Sequence, residues 1–291
     1  MRNNQKRLQG AANLQPQMAP SPVTAMYAVP TEFVELPSRG KFYPEGHALH
    51  GEDTIEIRYM TAKEEDILSS AALIEKGLVI DRLLQSIIVP DVKPESLLVG
   101  DRNAIMIAAR ISSYGQAYKA SVNCPACSTR VDYVFDLSKT NLSGECFSSE
   151  FLKDKSITID PQSGLFELTL PTSKATIKVK LLTGLEEKKL SNLEENKMIT
   201  STLSNFICEV NGDSNPNLVH SFIQNMPAAD SKFIRNLYPR LSPNIDLRQE
   251  FTCENCGGSA YCGVFLAWMK IIWNRFTSNF LFLNTMVVGA F

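Results

Sequence analysis

Apolar and polar positions along the chain fall into two alternating rhythms. Residues 55–60 (IEIRYM) alternate as a half-buried strand does. TAKEEDIL follows, and Thr61 with Glu64 three positions later is a capping-box pattern, which predicts a helix start. Residues 78–89 (LVIDRLLQSIIV) and 101–113 (DRNAIMIAARISS) carry apolar residues at three- and four-residue steps, which predicts two helices, with Asp101 as the N-cap of the second. Tyr118–Asn123 and Val131–Leu137 flank CPAC and read as the strands of a hairpin. Upstream, EFVELPSRGKFYPEG joins a short apolar strand to Pro37, Gly40, Pro44 and Gly46, which predicts an irregular loop crossing a surface in extended form.

The rhythm then recurs. IKVKLLTGLEEKKL at 177–190 aligns with IEIRYMTAKEEDIL at 55–68, with Ile55/Ile177, Thr61/Thr183, Glu64/Glu186, Glu65/Glu187 and Leu68/Leu190 identical. DSKFIRNLYPRLS at 230–242 takes the place of the second predicted helix, and LRQEFTCENC that of YKASVNCPAC. The alignment offset grows from 122 to 129 residues, which an insertion at the polar loop 211–216 accommodates. These correspondences predict an α+β fold made of two diverged copies of a helical unit plus β-hairpin. The first spans residues 31–140 and the second 176–263, with a connecting β segment (ITID, FELTLP) at 141–175. Residues 1–30, rich in Asn, Gln, Ala and Pro, read as a flexible arm.

Cysteine chemistry sharpens this picture. The chain of 291 residues has seven cysteines and an N-terminus without the continuous apolar core of a signal peptide. Under reducing conditions, paired cysteines read as metal ligands rather than disulfides. Cys124/Cys127 and Cys253/Cys256 are Cys-x-x-Cys pairs in equivalent places of the two copies. Two residues between cysteines let one tight turn present both sulfurs to one ion, and four thiolates satisfy tetrahedral zinc. One structural Zn2+ joining the two knuckles is therefore expected, with Cys262 as a substitute ligand to weigh. The rivals are a thioredoxin-like redox pair, which requires a helix after the first cysteine, simple buried thiols, and a catalytic zinc. Cys146 and Cys208 read as free, Cys208 on an apolar helical pattern.

Other chemistry is sparse. Lys+Arg 29 against Asp+Glu 31 gives no broad grip on phosphates, and the one basic cluster, Arg2, Lys6 and Arg7, reads as a solvated tail. His47, His50 and His220 lack partners for a site and read as surface residues. No phosphate-binding glycine loop or nucleophile elbow occurs. Glu64, Glu65 and Asp66, like Glu186 and Glu187, suit a helix first turn. The pattern is that of a protein without enzymatic activity or small-molecule substrate. Residues 264–291 are dense in aromatics and aliphatics, but Lys270, Asn274, Arg275, Asn279 and Asn284 interrupt the ~20 apolar residues of a membrane span. They read as a partner-docking or core-covering segment, with interfacial membrane contact as the alternative.

The segments LPSRGKFYP (Leu36–Pro44), YMTAKEEDIL (Tyr59–Leu68) and GDRNAI (Gly100–Ile105), with VIDRLL and the CPAC knuckle, resemble the baseplate hub and hub-assembly proteins of T4-like contractile-tailed bacteriophages. The similarity runs over roughly residues 32–262 and is lost after Gly263. It implies a structural or assembly component of the virion tail baseplate, present in the host cytoplasm during assembly and binding other baseplate and tail proteins. On this reading Leu36, Pro37, Ser38, Arg39, Gly40, Tyr43 and Pro44 form a partner-docking strap; the rival is a loop that packs on its own domain. Two further readings stay open: a zinc-ribbon nucleic-acid-binding protein, and an assembly chaperone absent from the mature virion.

Overall fold

The alternation at 55–60 becomes strand β2 (Thr54–Arg58), paired antiparallel with β1 (Thr31–Glu35). The computed structural model describes residues 29–191 and 198–263, apart from the side chains of residues 191, 198 and 260–263; the N-terminal arm up to residue 28 and the segment 264–291 lie outside it. After β2 come the short helices α1 (Ala62–Ser69), α2 (Ala71–Glu75) and α3 (Val79–Ile87), then a 3-10 turn at Pro94–Ser96 and the long helix α4 (Val99–Tyr114). The first hairpin is β3 (Ala117–Asn123) with β4 (Arg130–Asp136). The middle holds β5 (Asn141–Ser143), α5 (Ser149–Asp154), β6 (Thr158–Ile159) and β7 (Phe166–Thr169). Then come β8 (Thr176–Val179), α6 (Gly184–Ser191), α7 (Met198–Phe206), β9 (Ile207–Val210), α8 (Pro216–Asn225) and α9 (Ala228–Leu241). The described chain closes with β10 (Asn244–Asp246), β11 (Arg248–Thr252) and β12 (Ser259–Gly263). The fold is α+β with small antiparallel sheets; the largest has the order β6-β7-β8-β9.

Most predicted elements form within a few residues of their expected bounds. Three readings change. Cys208 sits on strand β9, not on a helix, because α7 ends at Phe206 and the chain turns to pair with β8. The connecting segment is not all strand: Ser148 caps α5 by accepting from the Phe151 amide. Asp101 is not an N-cap. Leu98 holds that position, and Asp101 lies in the first turn of α4 with its carboxylate aimed at the strap.

That carboxylate explains the two most specific sequence motifs together. Asp101 is fully buried. It accepts from the Ser38 amide at 2.9 Å, the Ser38 hydroxyl at 2.6 Å and the Tyr43 hydroxyl at 2.7 Å. Tyr43 in turn accepts from the Leu98 amide at 3.1 Å. Burial pushes the Asp101 carboxyl up, against the pull of the Ser38 and Tyr43 hydrogen bonds. The neighbouring motif residues have long-range duties too. A Cβ on Gly100 would stand 1.9 Å from the Pro243 carbonyl oxygen, so only glycine lets β10 cross the start of α4. Arg102 donates to Asp81 at 2.9 Å and faces Glu187 at 3.9 Å, and Asn103 donates to Asn244 at 3.1 Å.

The second half repeats this device. Asp230, in the first turn of α9 and fully buried, accepts from the amides of Thr172 at 2.8 Å and Ser173 at 2.9 Å. The helix-start glutamates also correspond. Glu64 accepts from the Thr61 amide at 2.9 Å and hydroxyl at 2.6 Å, and faces Arg58. Glu186 accepts from the Thr183 amide at 3.0 Å and from its hydroxyl, and pairs with Lys180 at 2.8 Å.

Two outcomes follow. Burial favours the neutral form of Glu64, but hydrogen bonds from Ser86 and Thr61 and the charge of Arg58 outweigh it and hold the carboxyl at about 2, against 4.5 ordinarily. Its folded value lies below its unfolded one, so its contribution is complete above pH 4.5 and is lost as pH falls towards 2, on the order of 3 kcal/mol in all. Urea melts of wild type and Glu64→Gln across that window should show the variant losing part of this acid dependence. Asp101→Ala leaves three buried donors unsatisfied and should cost about 3 kcal/mol or more in the same melts at pH 7.

Candidate metal centre

Each cysteine pair sits at the tip of a two-stranded hairpin, β3–β4 or β11–β12. The two tips are built alike. In the first, the Ser128 amide donates to the Cys124 carbonyl at 2.8 Å and the Cys124 amide to the Thr129 carbonyl at 2.9 Å. In the second, the Gly257 amide donates to the Cys253 carbonyl and the Cys253 amide to the Gly258 carbonyl, both at 2.9 Å. The residue after the second cysteine takes a left-handed conformation in each, Ser128 at φ 57° and Gly257 at φ 70°. Glycine adopts that conformation freely; serine is held there by the turn. Gly258 then passes close to sulfur, since a Cβ there would meet Cys256 Sγ at 3.3 Å.

These turns bring residues 124–127 and 253–256 face to face. All four Sγ atoms lie within 4.8 Å of one another. Cys124 and Cys256 are 3.7 Å apart, Cys127 and Cys253 3.8 Å. A regular tetrahedron with metal–sulfur bonds of ~2.3 Å has sulfur–sulfur edges of ~3.8 Å, so the donor set fits a tetrahedral ion. Cys124 and Cys253 are buried, Cys127 partly so, and Cys256 is exposed. The hairpins are held around them by Phe251, fully buried, against which Tyr133 packs edge-on at 5.1 Å. Gln249 bridges the hairpins as well, accepting from the Asp136 amide at 3.1 Å and donating to its carbonyl at 2.6 Å. Asn255 crosses between the knuckles and donates to Thr129 Oγ1 at 3.1 Å.

Two of the four thiols are shifted, in opposite directions. Hydrogen bonds from the Thr129 side chain and backbone hold Cys127 down to about 6. Cys256 moves oppositely: a backbone hydrogen bond from Gly258 lowers it, but the neighbouring Cys127 and Cys124 carry it up to about 12. Four thiolates at this spacing repel one another, and a divalent cation reverses that balance. Both pairs lie between strands, and neither opens a helix as a redox pair does. The side chain of Cys262 is outside the described atoms; its backbone, in β12, pairs with Gln249 of β11.

The other residues singled out by sequence scatter. Of the strap, Leu36, Pro37, Ser38, Gly40 and Tyr43 are buried in their own domain, which leaves Arg39 and Pro44 facing solvent. Arg39 lies over the Phe147 ring at 4.7 Å. His47 is half-buried, stacks on Tyr43 at 4.4 Å and meets Ser96 at 3.0 Å, while His50 and His220 are exposed. A cavity of about 420 Å³ beside His47 is lined chiefly by apolar side chains, Phe42, Leu98, Leu165, Leu181 and Leu185 among them. Cys146 is buried, and burial pushes its thiol up to about 12. Among the described residues no helix is long and apolar enough to cross a membrane.

Comparison with known proteins bears on the whole described region. The family described as T4 bacteriophage base plate protein matches residues 29–263. No curated protein and no solved structure gives a significant match. The match covers β1 through β12, including the strap, α4 and both knuckles, so the chain belongs to the T4 bacteriophage base plate protein family.

Proposed function

We propose that this baseplate protein is a non-enzymatic component of the hub region, built from two diverged copies that a structural zinc ion clasps together. The observation that carries the reading is the meeting of four sulfurs, from two identically hydrogen-bonded turns, at tetrahedral spacing. The correspondence of the halves supports the duplication: β1–β2 with β7–β8, Glu64 with Glu186, Asp101 with Asp230, and one knuckle with the other. On this reading the second copy begins before residue 176, because β7 pairs along the whole of β8. Its extra length includes the turn after β9 and helix α8, in the place where the first half has the 3-10 turn Pro94–Ser96.

In this arrangement Cys124, Cys127, Cys253 and Cys256 hold the ion, and the ion contributes folding free energy and no chemistry. The partners are other baseplate and tail proteins, met first in the host cytoplasm, and Arg39 and Pro44 are the strap residues free to touch them. A nucleic-acid role has little support at the knuckles. Arg248 is held by Asp246 at 2.5 Å, and among the described residues Arg130 is the other arginine near the knuckles, too few for a basic face.

Metal analysis of the purified full-length protein should find one zinc per chain. Cys253→Ser should lower that content and loosen both hairpins, while the main core, which does not include the knuckles, keeps its helical circular dichroism. A chain that binds no zinc and melts as wild type does after this substitution refutes the clasp. Mass spectrometry of purified particles should find the chain in the tail; its presence in infected-cell extracts alone would identify an assembly factor instead.

A further inference from the structure

The two halves differ at one sheet edge. In the second half β7 is covered on the side away from β8 by β6, with Thr158 opposite Glu167 and Ile159 opposite Phe166. In the first half β1 occupies the corresponding place beside β2, and among the described residues nothing pairs with its outer side. The register identifies which groups that edge offers. Val89 donates its amide to the Glu56 carbonyl at 3.0 Å, so Glu56 turns its backbone groups away from β1. Phe33, opposite Glu56, is then a non-hydrogen-bonded pair position, and the N–H and C=O of Thr31, Phe33 and Glu35 point outward. Glu32 and Val34 carry the bonds to β2.

The side chains mark this edge as well. Phe33 is 72 % exposed, the highest value among the exposed large apolar side chains. It forms one row with Glu56 and with Val89, itself 49 % exposed, across three neighbouring backbones. Glu35 stands beside Phe33 on the same face, and Arg58 on that face is turned towards Ser86 and Glu64. Protected sheet edges carry charge and no large apolar group; this one carries an aromatic ring with acids around it.

We propose that β1 receives an added strand from another baseplate protein, one that presents an apolar side chain to Phe33 and Lys or Arg to Glu35 and Glu56. Main-chain bonds to Thr31, Phe33 and Glu35 supply the grip, and the ring and carboxylates supply selectivity. A second copy of the chain suits the edge poorly, because pairing β1 with itself gathers Glu32 and Glu35 of both copies on one ribbon. The proposal rests on the baseplate reading for the kind of partner and on the likeness of the two halves for the choice of edge. It does not depend on the metal.

The probe is a capped peptide, Thr-Lys-Thr-Val-Thr-Lys-Thr, added to the full-length chain and followed by amide hydrogen exchange and fluorescence anisotropy. Exchange of the Thr31, Phe33 and Glu35 amides should slow about tenfold or more, and the same peptide with Glu for Lys should have no effect. Phe33→Pro removes one outward N–H while sparing the bonds to β2, and should abolish binding at an unchanged melting temperature. Glu35→Lys with Glu56→Lys should reverse the peptide preference, and this pair decides the matter if Phe33→Pro does not fold. The proposal is overturned by no protection with the basic peptide, by equal protection with both peptides, or by binding that survives both variants. It is also overturned if the amides of Thr31, Phe33 and Glu35 exchange slowly in the free chain, which would mean that another segment or a second copy already covers the edge. Zinc content should be the same throughout, so a failure here leaves the clasp standing.

Discussion

A buried carboxylate with no cation beside it organises the first half of the molecule. Moving Asp101 out of water costs several kcal/mol unless donors replace the solvent. Three do, and all of them come from a loop some sixty residues away in sequence. The loop therefore has little choice of path: Ser38 and Tyr43 must both reach the first turn of α4, which draws Leu36, Pro37 and Phe42 into the core with them. The oxygens also face the amino end of a helix, where negative charge is favoured. Asp230 does the same for the turn after β7, through the amides of Thr172 and Ser173.

The sequence carried the local half of this structure and lost the long-range half. Period-two and period-3.6 patterns placed β2, α3, α4 and the knuckle hairpins, since each buries one face whose rhythm is written in consecutive residues. The meeting of the four cysteines is legible because a tight turn fixes the spacing within each pair and the similar flanking segments match one pair with the other. Asp101 was misread as a cap because an acid before an apolar run looks the same whether its oxygens turn to the local backbone or across the molecule. The strap was read as extended and surface-crossing for a related reason. Its prolines and glycines signal irregular backbone, but burial of irregular backbone depends on donors supplied elsewhere, here by α4. Helix α5 escaped notice because one capping serine and six residues leave too short a window for periodicity.

The motif GDRNAI reads differently once the geometry is known. Gly100 makes room for Pro243, Arg102 reaches Asp81 and faces Glu187, and Asn103 reaches Asn244. Most of those partners lie in the second half of the chain. Residues that carry the family resemblance are thus occupied in joining the protein to itself. Surfaces left for partners are less conspicuous in sequence: an exposed phenylalanine on a short edge strand, and an arginine at the tip of the strap.

The halves also meet in two geometries, and the difference bears on what an ion at the four cysteines would do. At the knuckles the contact is reciprocal, Cys124 with Cys256 and Cys127 with Cys253. Away from them it is one-sided. The Val99 amide donates to the Leu182 carbonyl and the Gly184 amide to the Leu97 carbonyl. Among the described residues no backbone hydrogen bond links Met60–Ala62 with Met226–Ala228, the positions that a closed twofold would pair in the same way. The hairpins therefore extend from a body that does not share their local symmetry, and they bury only Cys124, Phe251 and Cys253 between them. Two-stranded hairpins with so small a core are marginal alone. A tetrahedral ion is the least bulky means of fixing them to each other, because it needs four sulfurs and no further apolar layer.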